Sequence, residues 1–212
     1  MTINKFCADT ISEGAFSSIT NNEFIKAIFP TYPEQAFAAV CSKSGDPSKG
    51  GWLAQRADQA ETNLAPTANN YVNCSSFYFG DNGSFRATKG KFAACHFLML
   101  DDLGTKVDLD RFKDFKLSWL IETSPHNYQG GIILDKPIFE GDEAERLLNT
   151  LIDANLCDKG AKQPLTRWAR LPVAINGKPA HQTESGAPFQ CRLIDWRPDY
   201  RYSPEAIVEG LH

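Results

Sequence analysis

The chain has 212 residues, 42% hydrophobic and 23% charged, with a formal net charge of −4. That is the mix of a soluble globular protein built as one large domain or two small ones, and its acidic balance gives no bulk attraction for nucleic acid, so any such role requires a local basic patch. No apolar run approaches the roughly 18 residues a membrane span needs, and the opening MTINKFCADTISEG lacks the apolar stretch of a signal peptide, so the expected setting is the cytoplasm.

In chain order, NNEFIKAIFP (21–30) predicts a short helix stopped by Pro30, with Asn22 as a candidate cap. QAFAAVCS (35–42) predicts a strand, and the polar, turn-rich stretch 43–70 predicts mostly loop. YVNCSSFYF (71–79) alternates like a strand, DNG (81–83) signals a turn, and ACHFLML (94–100) has the continuous apolar character of a fully buried strand. KLSWLIETS (116–124) and GGIIL (130–134) predict two strands joined by the loop PHNYQ. DEAERLLNTLIDANL (142–156) is the strongest helix, with Ala144, Leu147, Leu148, Leu151 and Ile152 on one face and Asp142 with Glu145 in a capping-box pattern. TRWARLPVAI (166–175) and FQCRLIDW (189–196) predict strands, and SPEAIVEGL (203–211) a closing helix capped by Ser203 with Pro204 in its first turn. Strands with interspersed helices make the class α/β or α+β around one main sheet. Six scattered cysteines, Cys7, Cys41, Cys74, Cys95, Cys157 and Cys191, form no CxxC and no zinc-ligand spacing with histidine, which suits reduced packing residues of an intracellular protein.

The chemistry concentrates in three places. In HFLMLDDLGTKVD (96–108) an apolar strand ends in two adjacent carboxylates, Asp101 and Asp102. One could cap a turn while the other is solvated. Alternatively both hold a divalent cation, which removes their mutual repulsion. Adjacent strand residues point to opposite faces, so shared ligation requires an irregularity, and Gly104 makes one plausible. The loop SPHNYQ gathers Ser124, His126, Asn127 and Gln129 before the paired Gly130–Gly131; it suits either a plain hairpin connection or a phosphate contact with close backbone approach. TRWARLPVAINGKP (166–179) combines Arg167, Arg170, Lys178 and Trp168, suiting phosphate recognition or a solvated basic edge. Asp158, after the strong helix, is a third carboxylate or a turn residue. No P-loop, GxGxxG or GxSxG is present. The histidines 96, 126, 181 and 212 form no His-x-His, which weighs against a two-histidine nicking endonuclease, and a lone His96 in a strand suits a packed, hydrogen-bonded ring.

Taken in order, HFLMLDDLGTK, IETSPHNYQ, CDKGAKQPLTRWARLPVAINGKP and WRPDYRYSPE resemble the RepB-like primases of plasmids and phages, within the archaeo-eukaryotic primase (primase-polymerase) superfamily, over roughly residues 70–205. The resemblance implies an α+β archaeo-eukaryotic primase core, a mixed-sheet N-terminal part combined with an RNA-recognition-motif-like sheet. It implies one catalytic domain over 1–212, with residues 1–69 as the less recognisable N-terminal part, 70–205 as the motif-bearing core and 203–211 as a C-terminal helix. Asp101 and Asp102 match the family's acidic pair and Asp158 its later acidic residue, together implied to hold two Mg²⁺ or Mn²⁺ ions. SPHNYQ matches the family's small-x-His loop imperfectly: Gln129 stands where the histidine is usual and His126 lies three residues earlier. Arg170, Asn176 and Lys178, with Leu171 and Pro172, match the RLP…N.K pattern. The implied nucleotide-binding set is Ser124, His126, Asn127, Gln129, Arg170, Asn176 and Lys178, and the implied nucleic-acid contacts are Arg86, Lys106, Arg167 and Trp168. The implied activity is template-directed primer synthesis from NTPs or dNTPs on single-stranded DNA in a phage, plasmid or satellite element, with the helicase as a separate domain or protein. A silent single-strand-binding module with stacking aromatics, or a metal-dependent nuclease, are the competing readings.

Overall fold

The computed structural model describes residues 19–59, 64–113, 115–160 and 163–211; Cys7 and His212 lie outside them. The described chain is α+β. Its strands are β1 (Phe37–Lys43), β2 (Gln55–Arg56), β3 (Asn69–Phe77), β4 (Phe92–Leu103), β5 (Trp119–Ser124), β6 (Asn127–Ile138), β7 (Trp168–Arg170), β8 (Ile175–Asn176), β9 (Phe189–Gln190), β10 (Arg192–Trp196) and β11 (Arg201–Tyr202). Its helices are α1 (Asn21–Ile28), α2 (Gly141–Asp153) and α3 (Pro204–Glu209). A nine-stranded sheet runs β10-β5-β6-β4-β3-β1-β2, with β7 beside β3 and β11 parallel to β6, while β8 and β9 form a separate pair. No helix among the described residues is long and apolar enough to cross a membrane.

The apolar run in β4 follows from burial on both faces. Side chains alternate along a strand, so Leu98 and Leu100 pack under α2 with Ala144, Leu147, Leu148 and Leu151. Phe97 and Met99 pack on the opposite side with Trp119, Ile121 and the Phe24, Ile25 and Ile28 stripe of α1. Covering helices on two faces turn an alternating pattern into a continuous one.

Several expected details shift. The cap of α1 is Thr20, in a reciprocal box with Glu23, rather than Asn22. Helix α2 starts one residue early, at Gly141 with Glu140 in the N-cap position, so Asp142 lies inside the first turn, where its charge complements the helix dipole without capping. Ser203 caps α3 as expected. The predicted strand over 166–175 is two short strands, and 189–196 is interrupted at Cys191. The five described cysteines are free and buried. The paired glycines admit side chains rather than a ligand. A Cβ on Gly130 would lie 2.6 Å from Leu117, and one on Gly131 would lie 2.0 Å from the fully buried Trp119 ring.

His96 is 3% exposed, its Nε2 lies 2.9 Å from Ser76 Oγ, and its ring packs on Phe29. Burial pushes its pKa down to about 3. The unfolded chain therefore takes up a proton near pH 6.5 that the folded chain refuses until about pH 3. The associated stability is present above that window and is lost as pH falls through it, by about 1.4 kcal/mol per unit. Thermal unfolding of a His96→Gln variant is expected to show a flatter acid limb between about pH 6 and pH 4 than the native chain; equal limbs would contradict this account.

Candidate active site

The site forms where the sheet changes partners. Strand β4 pairs with β3 at Ser75–Cys95, Ser76–Ala94 and Phe77–Phe92. Further along the same edge of β3, β7 takes over at Tyr71–Arg170, Val72–Ala169 and Asn73–Trp168. The carboxyl end of β4 has left β3 by then, and the notch between β4 and β7 holds the acidic pair.

The irregularity demanded by two adjacent ligands is present. Asp102 has φ +56°, and the β4–β6 register shifts between Leu100 and Leu103. The amides of Lys106 and Val107 donate to the Asp102 carbonyl, closing a turn at Gly104, whose φ is +84°. A Cβ on Gly104 would lie 2.6 Å from the His126 carbonyl oxygen, so this turn requires glycine.

Strand β6 begins at Asn127, so the expected loop PHNYQ is a tight turn at Pro125–His126 followed by strand. The difference has a chemical consequence. Asn127 and Gln129 occupy alternate strand positions and share a face. Asn127 Nδ2 donates to Asp102 Oδ1 at 3.1 Å, and Gln129 Nε2 donates to Asp101 Oδ1 at 3.1 Å. Gln129 Oε1 accepts from the Arg170 amide at 2.9 Å, and Thr105 Oγ1 donates to Asn127 Oδ1 at 2.8 Å. Each carboxylate is thus oriented by an amide that is itself held.

The other oxygens meet cations. Arg167 Nη2 lies 2.7 Å from Asp101 Oδ2. Lys106 Nζ lies 2.7 Å from Asp102 Oδ2 and 3.3 Å from Asp158 Oδ2. The Asp158 amide donates to the Asp101 carbonyl at 3.4 Å, bringing the third carboxylate against the pair. Burial works to raise the Asp102 carboxyl. The Lys106 and Asn127 hydrogen bonds, with the Lys106 and Lys178 charges, outweigh it and hold the group below the usual carboxylate range. Neighbouring Cys157 is pushed up to about 11 by burial, which leaves it a neutral thiol rather than a nucleophile.

Not every expected residue joins this cluster. Arg170 and Asn176 are 4% and 3% exposed. The Arg170 fork donates to Asn69 Oδ1, the Ile175 carbonyl and Asn176 Oδ1, and lies over the Tyr71 ring; Asn176 donates to the Thr123 carbonyl. Both face inward and meet the site through Gln129, the Lys178 amide and the end of β5. Ser124 is buried at the β5–β6 turn, His126 is exposed on it, and Lys178 is exposed. Trp168 stacks beside Trp52, which is 46% exposed and lies under Lys43 Nζ. Arg86 lies beyond the start of β4, whereas Asp101 lies near its end; nine residues at about 3.3 Å each separate Phe92 from Asp101 by roughly 30 Å.

Residues without a prior assignment also shape the site. Glu122 is 2% exposed, accepts from the His126 amide at 3.0 Å and pairs with Arg192, fixing the turn that presents Asn127. A lone charge within the apolar strand WLIETS was its available signal. Thr105 and Trp52 carry none beyond their proximity in space.

Among the described residues no group of three or more His, Cys, Asp or Glu side chains converges as a ready ligand set. The donor chemistry nevertheless fits a hard cation, since Asp102 and Asp158 already share one ammonium and carboxylate oxygens are what Mg²⁺ and Mn²⁺ take.

A family model described as the RepB DNA-primase N-terminal domain matches residues 38–211. By sequence, no curated protein matches the chain. The AEP domain of the primase-polymerase of cyanophage S-2L is similar in structure, with a TM-score of 0.56 at 12% identity over 89% of this chain and 95% of that one. A structure of the primase RepB′ gives 0.59 at 16% identity over 91% of this chain, which spans 62% of that protein's length. The catalytic domain of RepB′ in complex with initiator DNA gives 0.58 at 16% identity, over 90% of this chain and 93% of that one. At these identities the structural likeness concerns the fold.

Proposed function

The chain belongs to the RepB DNA-primase N-terminal-domain family and is a DNA primase catalytic domain, a DNA-directed nucleotidyltransferase; from that premise we propose that the notch between β4 and β7 is its catalytic centre and works by metal-assisted nucleotidyl transfer on single-stranded DNA. The observation that supports this best is the paired use of Asp102 and Asp158 by one cation at the broken end of β4.

Asp101, Asp102 and Asp158 would hold two Mg²⁺ or Mn²⁺ ions. Bound there, the ions would supply Lewis-acid activation of a 3′-hydroxyl and neutralise charge on a triphosphate. The remaining chemistry belongs to the chain. Asn127 and Gln129 fix the carboxylate orientations, so the oxygens need no reorganisation during reaction. Arg167 and Lys178 supply cationic donors beside the carboxylates for nucleotide phosphates, and His126, exposed on the turn that precedes Asn127, would reach them from there. Ser124, Arg170 and Asn176 serve the nucleotide indirectly, by holding the strand ends and Gln129 in place.

The template path passes the Trp168–Trp52 stack, where aromatic faces and the Lys43 ammonium suit sequence-tolerant contact with unpaired bases. A neighbour of the same fold is described with initiator DNA, which fits a nucleic-acid partner. Arg86 would touch only distal phosphates, and strand separation falls to a helicase domain or protein.

Incubation with a single-stranded template, Mn²⁺ and labelled NTPs or dNTPs, with and without a primer, tests this reading. New labelled strands are expected. Shortened template without new strands would assign a nuclease instead, and DNA binding without either product a binding module.

A further inference from the structure

The Lys106 ammonium sits between Asp102 Oδ2 and Asp158 Oδ2, at 2.7 and 3.3 Å. We propose that Lys106 is a tethered counter-cation: it holds these two carboxylates together before a divalent ion enters and competes with that ion for them. This rests on the metal-assisted reading of the same site.

Backbone geometry, rather than chance side-chain reach, brings the ammonium there. The turn after Asp102 is closed by the Lys106 and Val107 amides on the Asp102 carbonyl and by the Gly104 amide on the Val107 carbonyl. The Thr105 hydroxyl, which donates its one proton to Asn127 Oδ1 at 2.8 Å, also lies 3.2 Å from the Asp102 carbonyl oxygen, tying the turn to β6. The turn admits no side chain at Gly104, and it brings Lys106, four residues after Asp102, back over that carboxylate.

The two cations of the site differ in how readily they can leave. Arg167 is 21% exposed, pairs with Asp101 and also reaches the Gly160 carbonyl. Lys106 is 60% exposed on a flexible stem. Its ammonium can swing into water at little cost, because exposed pairs of this kind are individually weak. A divalent ion brings twice the charge to the same oxygens and displaces it. Without any cation the two carboxylates repel, so Lys106 keeps the notch closed to the right width while lowering its apparent metal affinity. The released ammonium is then free beside the site for a phosphate of the incoming nucleotide, which couples ion entry to substrate entry.

A merely structural lysine predicts the opposite sign, which makes the test decisive. Mn²⁺ affinity without nucleotide, measured from the electron paramagnetic resonance signal of free ion, is expected to be roughly three- to thirtyfold tighter for Lys106→Gln than for the native chain. Lys106→Arg keeps the charge and should stay near the native value, and Asp158→Asn should weaken binding in either background. Unchanged or weaker Mn²⁺ binding by Lys106→Gln, with the native chain binding normally, overturns the role of Lys106 and leaves the metal reading intact. Failure of the native chain and of every variant to bind Mn²⁺ overturns both. Thermal unfolding of the same samples checks the fold, which an exposed side chain should not disturb.

Discussion

Asp101→Asn and Asp102→Asn are each expected to lower templated nucleotide incorporation by about three orders of magnitude, with the unfolding temperature shifted by no more than a few degrees. The magnitude follows from losing a charged ligand where phosphoryl charge must be stabilised, each such contact being worth several kcal/mol. The small change in stability follows from the partial exposure of both side chains, 23% and 26%, and from the shape of asparagine, which preserves most of the local packing. The two variants should differ in detail. Asparagine at 102 leaves Lys106 its Asp158 partner, whereas asparagine at 101 leaves the Arg167 guanidinium without its carboxylate. Side-by-side primer-extension rates and thermal unfolding curves check both parts. Near-native incorporation by either variant would remove that aspartate from the reaction.

Arg170→Ala is expected to act mainly on stability. It deletes a buried guanidinium, leaving Asn69 Oδ1, Asn176 Oδ1 and the Ile175 carbonyl without a donor they now use. Asn69 Oδ1 and Asn176 Oδ1 keep the Gly177 and Lys178 amides, but the lost charged donors and the vacated buried space together cost about 3–5 kcal/mol, or roughly 8–15 °C in the midpoint of thermal unfolding for a chain of this size. Arg170→Lys should recover little, because one ammonium cannot reproduce the flat fork that serves three acceptors. A small thermal shift with severe loss of nucleotide affinity would instead make Arg170 a direct phosphate ligand, as the sequence pattern alone suggested.

Arg170 shows where the amino-acid order stops being informative. Arginine in a basic, turn-rich segment looks solvent-facing, and only the pairing of β7 with β3 and the packing of β8 put it inside. That pairing joins residues about a hundred positions apart and leaves no local trace. The same holds for Gly130 and Gly131, whose purpose is set by the Leu117 and Trp119 side chains arriving from the neighbouring strand and segment. Local signals fared better where local physics decides. The apolar stripe of α2, the Ser203 cap and the apolar run of β4 are each legible from residues within a few positions. The acidic pair lies between these cases. Its strand break was readable from Asp101, Asp102 and Gly104 together. The amides that hold it were not, because moving the start of β6 from residue 130 to Asn127 turns two loop residues into adjacent members of one strand face.

The most direct measurement of the central claim is templated incorporation on homopolymers with a divalent ion, for the native chain and Asp102→Asn in parallel. Poly(dT) should direct adenine nucleotides and poly(dC) guanine nucleotides into new strands in Mn²⁺. EDTA should abolish both, and the variant should fall by about three orders of magnitude. Incorporation that ignores template identity, persists in EDTA or survives the loss of Asp102 would contradict a catalytic centre at the broken end of β4.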